Sequence, residues 1–207
     1  MATLAKVPPG RAGRLWLRHR LVIARRGRDQ LDRKLRILSA ERQRIRLQAD
    51  QQMREWETAC AQASSWLLRL AVLGGQDAVR SAAAASPAEV RLTWRTTMGV
   101  RCPSDAVISR PPSDSSVAPG NAVAQVTVHA YDAALLAGAR AAATAEAARR
   151  VEAEITVTRQ RVRALDKRWL PWLQDALHQL DLTLEQAEQE DSTRLRRGVA
   201  RTGRRAP

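Results

Sequence analysis

The side chains that most often carry out catalysis are few in this sequence and stand far apart. The three histidines are His19, His129 and His178, and none has a serine or cysteine at the spacing of a known nucleophile signature. Acid–base catalysis would require such a histidine, or a carboxylate with a shifted pKa, beside the reacting group. Isolated histidines are more often surface or packing residues, so we expect no catalytic residue in this chain.

The cysteines, glycines and carboxylates also lack the spacing of a known site. Cys60 and Cys102 form neither a CxxC pair nor a Cys/His ligand set, and two isolated cysteines suit a reducing compartment. The pair Gly74-Gly75 lacks the GxxxxGK[ST] frame of a phosphate-binding loop. Four carboxylates near the C-terminus follow helical spacing and indicate a solvated face: Glu185, Glu188, Glu190 and Asp191. We therefore expect no metal and no cofactor.

The first element that would position any site is a long helix. From Leu17 to Leu73, steps of four and three alternate through seventeen positions, of which fourteen are apolar. A seam sustained over this length predicts a coiled coil over residues 12–75, ended by Gly74-Gly75. The main seam residues are Leu17, Leu21, Leu31, Leu35, Leu38, Ile45, Trp56, Trp66 and Leu70.

A second seam predicts another helix over residues 131–197, followed by a basic flexible tail over 198–207. Its main seam residues are Ile155, Val162, Leu165, Leu173, Leu177, Leu180 and Leu184. Three consecutive steps of four, from Leu165 to Leu177, form a stutter that locally unwinds a left-handed supercoil. Pro171 falls inside this stutter, at a position where a regular helix would be destabilised by about 3 kcal/mol.

Residues 76–130 change to the period of a β-strand. Val90, Leu92 and Trp94 alternate with polar residues, which predicts a half-buried strand that turns at Met98-Gly99. A second alternation over 123–128 predicts a further strand, and the Pro/Ser-rich stretch 104–122 predicts a loop. The fold class is then mainly α: a long antiparallel two-helix coiled coil, or α-hairpin, with a small β-hairpin and loop region at one end.

Positive charge is concentrated in the N-terminal part of the chain. Residues 1–75 hold sixteen Lys or Arg against six Asp or Glu, whereas residues 131–191 hold eight against eleven. This difference favours pairing of the two helices and an acidic protein partner for the surplus. A basic coiled coil that binds nucleic acid, or a helical scaffold, is the alternative interpretation. The arginines around Arg25 have no interleaved aromatic residues for base stacking.

Neither a secretory signal core nor a membrane span is evident. No stretch approaches the roughly 20 apolar residues that a bilayer span requires. We therefore expect a soluble protein without direct membrane insertion, which leaves room for attachment to a membrane-bound assembly.

Three stretches in order along the chain resemble the D subunit of the V-type/A-type rotary ATPase and ATP synthase, the central stalk. The N-terminal stretch carries Ala-x-x-Gly followed by apolar residues and Lys, the middle carries Met-Gly-Val-x-x-Pro, and the third is "TRQRVRALDKRWLPWL". The matching positions that would belong to the motif and rotor interface are Gly27, Lys34, Met98, Gly99, Val100, Pro103, Thr158, Arg159, Arg161 and Pro171. Gln160, Arg163 and Asp166 depart from the family pattern.

The resemblance implies a non-catalytic rotor component. The paired termini would reach into the head formed by the catalytic and non-catalytic nucleotide-binding subunits, A and B. The middle region would lie near the F component of the stalk and the protein that docks on the membrane ring, C or d. The implied location is cytoplasmic, peripheral on the inner face of the plasma membrane, with no nucleic acid as a partner. The coupled ion, H⁺ or Na⁺, would be determined in the membrane ring rather than in this chain.

Overall fold

The computed structural model describes residues 7–83, 87–109 and 122–203, with only the backbone described for 198–203. Helix α1 spans Gly10–Ala82, strand β1 spans Glu89–Thr97 and strand β2 spans Val100–Ser109. Helix α2 spans Ala122–Ala164, a π-helix follows at Leu165–Trp169, and helix α3 spans Leu170–Gly203. The fold is mainly helical with one antiparallel β-hairpin, so the predicted fold class is confirmed.

The chain divides into two compact units. The terminal unit comprises the described parts of Met1–Lys34 and Thr158–Pro207, and the hairpin unit comprises those of Leu35–Val157. In the terminal unit, the beginning of α1 packs antiparallel against α3 around the buried residues Leu17, Leu21 and Leu173. Each fully buried leucine contributes about 1.5–3 kcal/mol of transfer free energy, so this seam dominates the pairing.

The π-helix accounts for the proline inside the terminal unit's second helix. A regular helix would leave the carbonyl of Lys167 without its bond to Pro171, and the proline ring would clash with that carbonyl. Here the turn widens, and the amide of Leu170 donates to the carbonyl of Leu165, five residues earlier. Such a turn holds one additional residue, which is what the stutter from Leu165 to Leu177 requires. Pro171 then lies in the first turn of α3, where it is tolerated.

The hairpin unit is built around a core shared by helix and strand. Leu38 and Ile45 of α1 and Val151 and Ile155 of α2 are almost fully buried, and they form one cluster with β2. On α2, the apolar positions between these are mostly alanine. Small side chains allow close approach on two sides of the helix, by α1 and by the strands, and the buried ones are Ala124, Ala134, Ala141, Ala143 and Ala147.

The β-hairpin confirms the predicted turn and corrects the predicted burial. Met98 and Gly99 both have positive φ, 50° and 81°, as a tight two-residue hairpin loop requires. A bulge interrupts the register between Thr93 and Trp94, which pair with Asp105 and Pro103. Every residue of β1 except Thr97 is exposed, and the buried side chains lie on β2. The prediction of a half-buried β1 is therefore wrong, because β2 is the strand that packs on the helices.

The strand predicted over 123–128 is also wrong, because these residues begin α2. The helix starts at Ala122 rather than near residue 131. Thr127 is almost fully buried, its hydroxyl donates to the carbonyl of Val123 at 2.8 Å, and it lies 3.3 Å from the carbonyl of Trp66. Three valines at short spacing fit a strand or a helix, and packing against α1 selects the helix.

The glycine pair interrupts α1 without ending it. Gly75 has φ 67° and ψ −170°, which is not helical, and helical residues resume up to Ala82. The predicted end at 75 therefore marks the break, and a short helical segment follows it.

Candidate functional site

The predicted seam residues differ in burial. The buried ones are Leu17, Leu21, Leu38, Ile45, Leu70, Ile155 and Leu173. The half-buried ones are Leu31, Leu35, Trp66, Val162, Leu165, Leu177, Leu180 and Leu184. Trp56 is 39% exposed, but its indole lies against Gly138 of α2. Continuous apolar contact between the paired helices is thus present within each unit.

Arginines of α1 pair with carboxylates of the C-terminal helices inside each unit. In the terminal unit, Arg14 lies 2.8 Å from Asp181 and Arg28 lies 3.2 Å from Asp166. In the hairpin unit, Arg42 lies 3.2 Å from Glu152. Exposed pairs contribute only about 0–1 kcal/mol each, so they align the helices more than they stabilise them. Part of the basic surplus is therefore neutralised within the chain.

The motif residues separate into packing positions and exposed positions. Val100, Pro103 and Thr158 are buried, and Gly27, Lys34 and Pro171 are half-buried. Those available at the surface are Met98, Gly99, Arg159 and Arg161. A surface motif of this kind suits contact with another protein, since no concave polar site accompanies it among the described residues.

The residues that could do chemistry are not brought together. His19, His129 and His178 are all exposed. Cys60 is half-buried, while Cys102 is buried in the hairpin-unit core with its sulfur 4.0 Å from the carbonyl of Ala147. Burial raises the pKa of the Cys102 thiol, which makes it less reactive. Among the described residues, no group of three or more His, Cys, Asp or Glu side chains could hold a metal ion.

Glu41 connects α1 to the β-hairpin. It accepts hydrogen bonds from Arg44 at 2.8 and 3.0 Å, and a further bond from the guanidinium of Arg95 on β1. These contacts, with Arg44 the larger cause, lower the pKa of the Glu41 carboxyl from its ordinary value of 4.5. Its side chain is 16% exposed, so the pair is shielded more than most in this protein.

We predict that Glu41 makes the stability of the hairpin unit depend on pH. A lowered pKa means that the unfolded chain binds the proton more readily, so the ionised carboxyl stabilises the fold above pH 4.5. This contribution is lost as the pH falls through the lowered folded-state value. Urea unfolding of Glu41→Gln and of the unmodified chain should therefore differ near neutral pH and converge in acid. Glu57→Gln, at an exposed glutamate of α1, is the control; a pH-independent effect at Glu41 would contradict the prediction.

The comparison with protein families now decides which family the fold belongs to. The sequence model that describes the D subunit of ATP synthase matches residues 15–198, which takes in parts of both units and the whole β-hairpin. The chain belongs to the family of ATP synthase D subunits. Members of this family are stalk components of a rotary ATPase rather than its catalytic subunits. No curated protein matches the sequence.

Membership in the family of ATP synthase D subunits associates the chain with the other subunits of a membrane-associated complex. Within the described ranges, no helix is both long and apolar enough to cross a bilayer. The resemblance noted from the three motifs is confirmed.

Sequence reasoning missed one surface cluster of this stalk component. Trp94 of β1 lies next to the guanidinium groups of Arg101 on β2 and Arg150 on α2. These residues are distant in sequence and match no motif, so only the register of the hairpin and its position on α2 bring them together. The alternation of Trp94 with Arg95 was the one available signal, and it indicated a strand rather than a site.

Proposed function

We propose that this chain is the non-catalytic central-stalk rotor shaft of a V-type or A-type ATPase or ATP synthase. In this role it binds no nucleotide and transmits rotation between the catalytic head and the ion-translocating membrane ring. The observation that carries the proposal is the family match over residues 15–198. A match of this extent includes the paired helices as well as the β-hairpin, so it is not limited to a shared coiled-coil pattern.

The packing of the molecule supports a mechanical role. A rotor must resist separation of its helices under torque, and the buried clusters around Leu17 and Leu38 hold the helices together in their respective units. A rotor must also present different surfaces to the surrounding catalytic interfaces, because rotation acts by contacting their states differently. One helix pair carries a two-stranded hairpin on a single side and so has no rotational symmetry of its own.

The partners follow from this role. The nucleotide-binding subunits A and B would surround the terminal unit. The F component of the stalk and the ring-docking protein, C or d, would bind near the hairpin unit. The complex would hold the chain at the inner face of the plasma membrane, without insertion and without nucleic acid. The polar pairs between α1 and the C-terminal helices support this assignment, because they remove arginines from the charge available to an external polyanion.

A reversible cross-link between this chain and the catalytic ring tests the proposal. Gln186 is exposed on α3, and Gln186→Cys in a Cys60→Ala background would be assembled with a catalytic ring carrying one engineered cysteine. We expect oxidation to lower ATP turnover by about tenfold or more, because a tethered rotor cannot complete its cycle. Reduction should restore turnover. The same variant with a cysteine-free ring is the control for oxidation itself.

Complete cross-linking with unchanged turnover would contradict the rotor role. The nucleic-acid alternative has its own signature, namely DNA binding whose affinity falls steeply with salt. If the purified chain bound DNA in this way and formed no complex with the F component of the stalk, the alternative would replace the proposal.

A further inference from the structure

One tryptophan and two arginines converge on the surface of the hairpin unit. The guanidinium carbons of Arg101 and Arg150 lie 4.8 and 5.0 Å from the centre of the Trp94 ring. Contact with the face of an indole holds a guanidinium group in place without neutralising its charge. The cluster therefore presents positive charge at fixed positions.

Glu146 is the carboxylate that pairs with arginines beside this cluster. It accepts hydrogen bonds from Arg150 at 2.8 Å and from Arg149 at 3.0 Å. Arg150 also donates to the backbone carbonyl of Arg101 at 3.3 Å, which fixes its position. Across the part of the chain that the structure describes, the side chain of Arg101 has no ion pair. The cluster thus keeps positive charge available to an external carboxylate.

An exposed apolar row extends from this cluster along β1. Val90, Leu92 and Trp94 are 46%, 41% and 39% exposed, and their period of two places them on one face of the strand. Arg101 pairs with Thr96, two residues from Trp94, so it lies on the same face. Tryptophan and arginine are among the residue types most enriched in binding hot spots. An apolar row that ends in unneutralised arginines is typical of a protein-binding surface.

We propose that this face of the hairpin, called the Trp94 surface, binds an acidic and apolar segment of a partner protein. Carboxylates of the segment engage Arg101 and Arg150, because guanidinium groups bind carboxylates bidentately. Apolar side chains of the segment cover Leu92 and Trp94. A protein segment fits better than a nucleic acid, because Val90 and Leu92 offer neither a positive charge for phosphate nor a ring for bases. The assignment holds whether or not the chain is a rotor.

The test measures binding of a fluorescent peptide of alternating Glu and Leu to the full chain by anisotropy. We expect Arg101→Glu to weaken binding by about tenfold or more, since a reversed charge repels the peptide. The matched control is Arg69→Glu, because Arg69 also lies over a tryptophan, 4.4 Å from the Trp66 ring centre, but without a second arginine. Arg69→Glu should change the affinity by less than about twofold. A peptide of alternating Lys and Leu should not bind.

Three outcomes would overturn the proposal. Equal weakening by Arg101→Glu and Arg69→Glu would show general attraction to a basic protein. Binding of single-stranded DNA, or of vesicles containing phosphatidylserine, that is lost in Arg101→Glu while the peptide fails to bind would assign the surface to those ligands. Absence of all binding would remove the site. Circular dichroism verifies that Arg101→Glu folds, and Arg101→Gln, which keeps a polar side chain, decides the question if it does not.

Discussion

Leu38→Ala is expected to lower the free energy of unfolding by about 2–5 kcal/mol. Leu38 is fully buried in the hairpin unit and lies in one cluster with Ile45, Val151 and Ile155. Its neighbours come from α1, α2 and β2, so a single helix movement cannot close the cavity that the substitution leaves. Urea unfolding followed by the helical circular dichroism signal provides the measurement.

The neighbouring residue provides the control. Ile37 is 46% exposed on the same turn of α1, so Ile37→Ala should change the free energy of unfolding by less than about 1 kcal/mol. The two substitutions remove similar apolar side chains from adjacent positions of one helix. If they destabilised the protein equally, the phase of the seam would be wrong, and with it the pairing of α1 with α2.

The seam could be predicted from the sequence because it follows from one helical period. Leu17, Leu38, Ile45 and Leu70 all belong to the series of alternating steps of three and four, and all of them are buried. Burial of one stripe is the main way in which a long amphipathic helix gains transfer free energy. The turn at Met98-Gly99 was equally predictable, because a tight hairpin loop depends on two adjacent residues.

Features that depend on long-range packing could not be predicted in the same way. The residues around Thr127 are helical because α1 offers them a surface, although their valine spacing also fits a strand. β1 carries the clearer apolar alternation, yet β2 is the buried strand, since alternation cannot identify which strand of a pair faces the helices. The π-helix is intermediate: the stutter located it, but no local rule gave its hydrogen bonding.

The candidate sites differ in the same respect. The family motif residues were found from the sequence, because Thr158, Arg159 and Arg161 stand within four residues of one another. The Trp94 surface was not, because Trp94, Arg101 and Arg150 come from three elements. Their proximity requires the hairpin register and the packing of the hairpin on α2.

Gly138→Ala is expected to lower the free energy of unfolding by about 1–3 kcal/mol, against the usual direction for glycine in a helix. Replacing a helix-interior glycine by alanine normally stabilises by about 1 kcal/mol. At this position the new Cβ would lie 2.8 Å from Nε1 and 3.1 Å from Cδ1 of Trp56. The indole is rigid and packs across the seam, so it must move away from α2 and lose its contacts.

The sign of the effect should reverse when the indole is removed. In a Trp56→Ala background, Gly138→Ala should raise the free energy of unfolding by about 0.5–1 kcal/mol, because only the helix propensity remains. Gly27→Ala is the control in the intact chain, since no atom lies within 4 Å of a Cβ at Gly27, and it should also be stabilising. A destabilising Gly138→Ala in both backgrounds would show that Trp56 is not what requires the glycine. A reversal would establish that the close approach of α1 and α2 at this level of the seam depends on a glycine opposite a tryptophan.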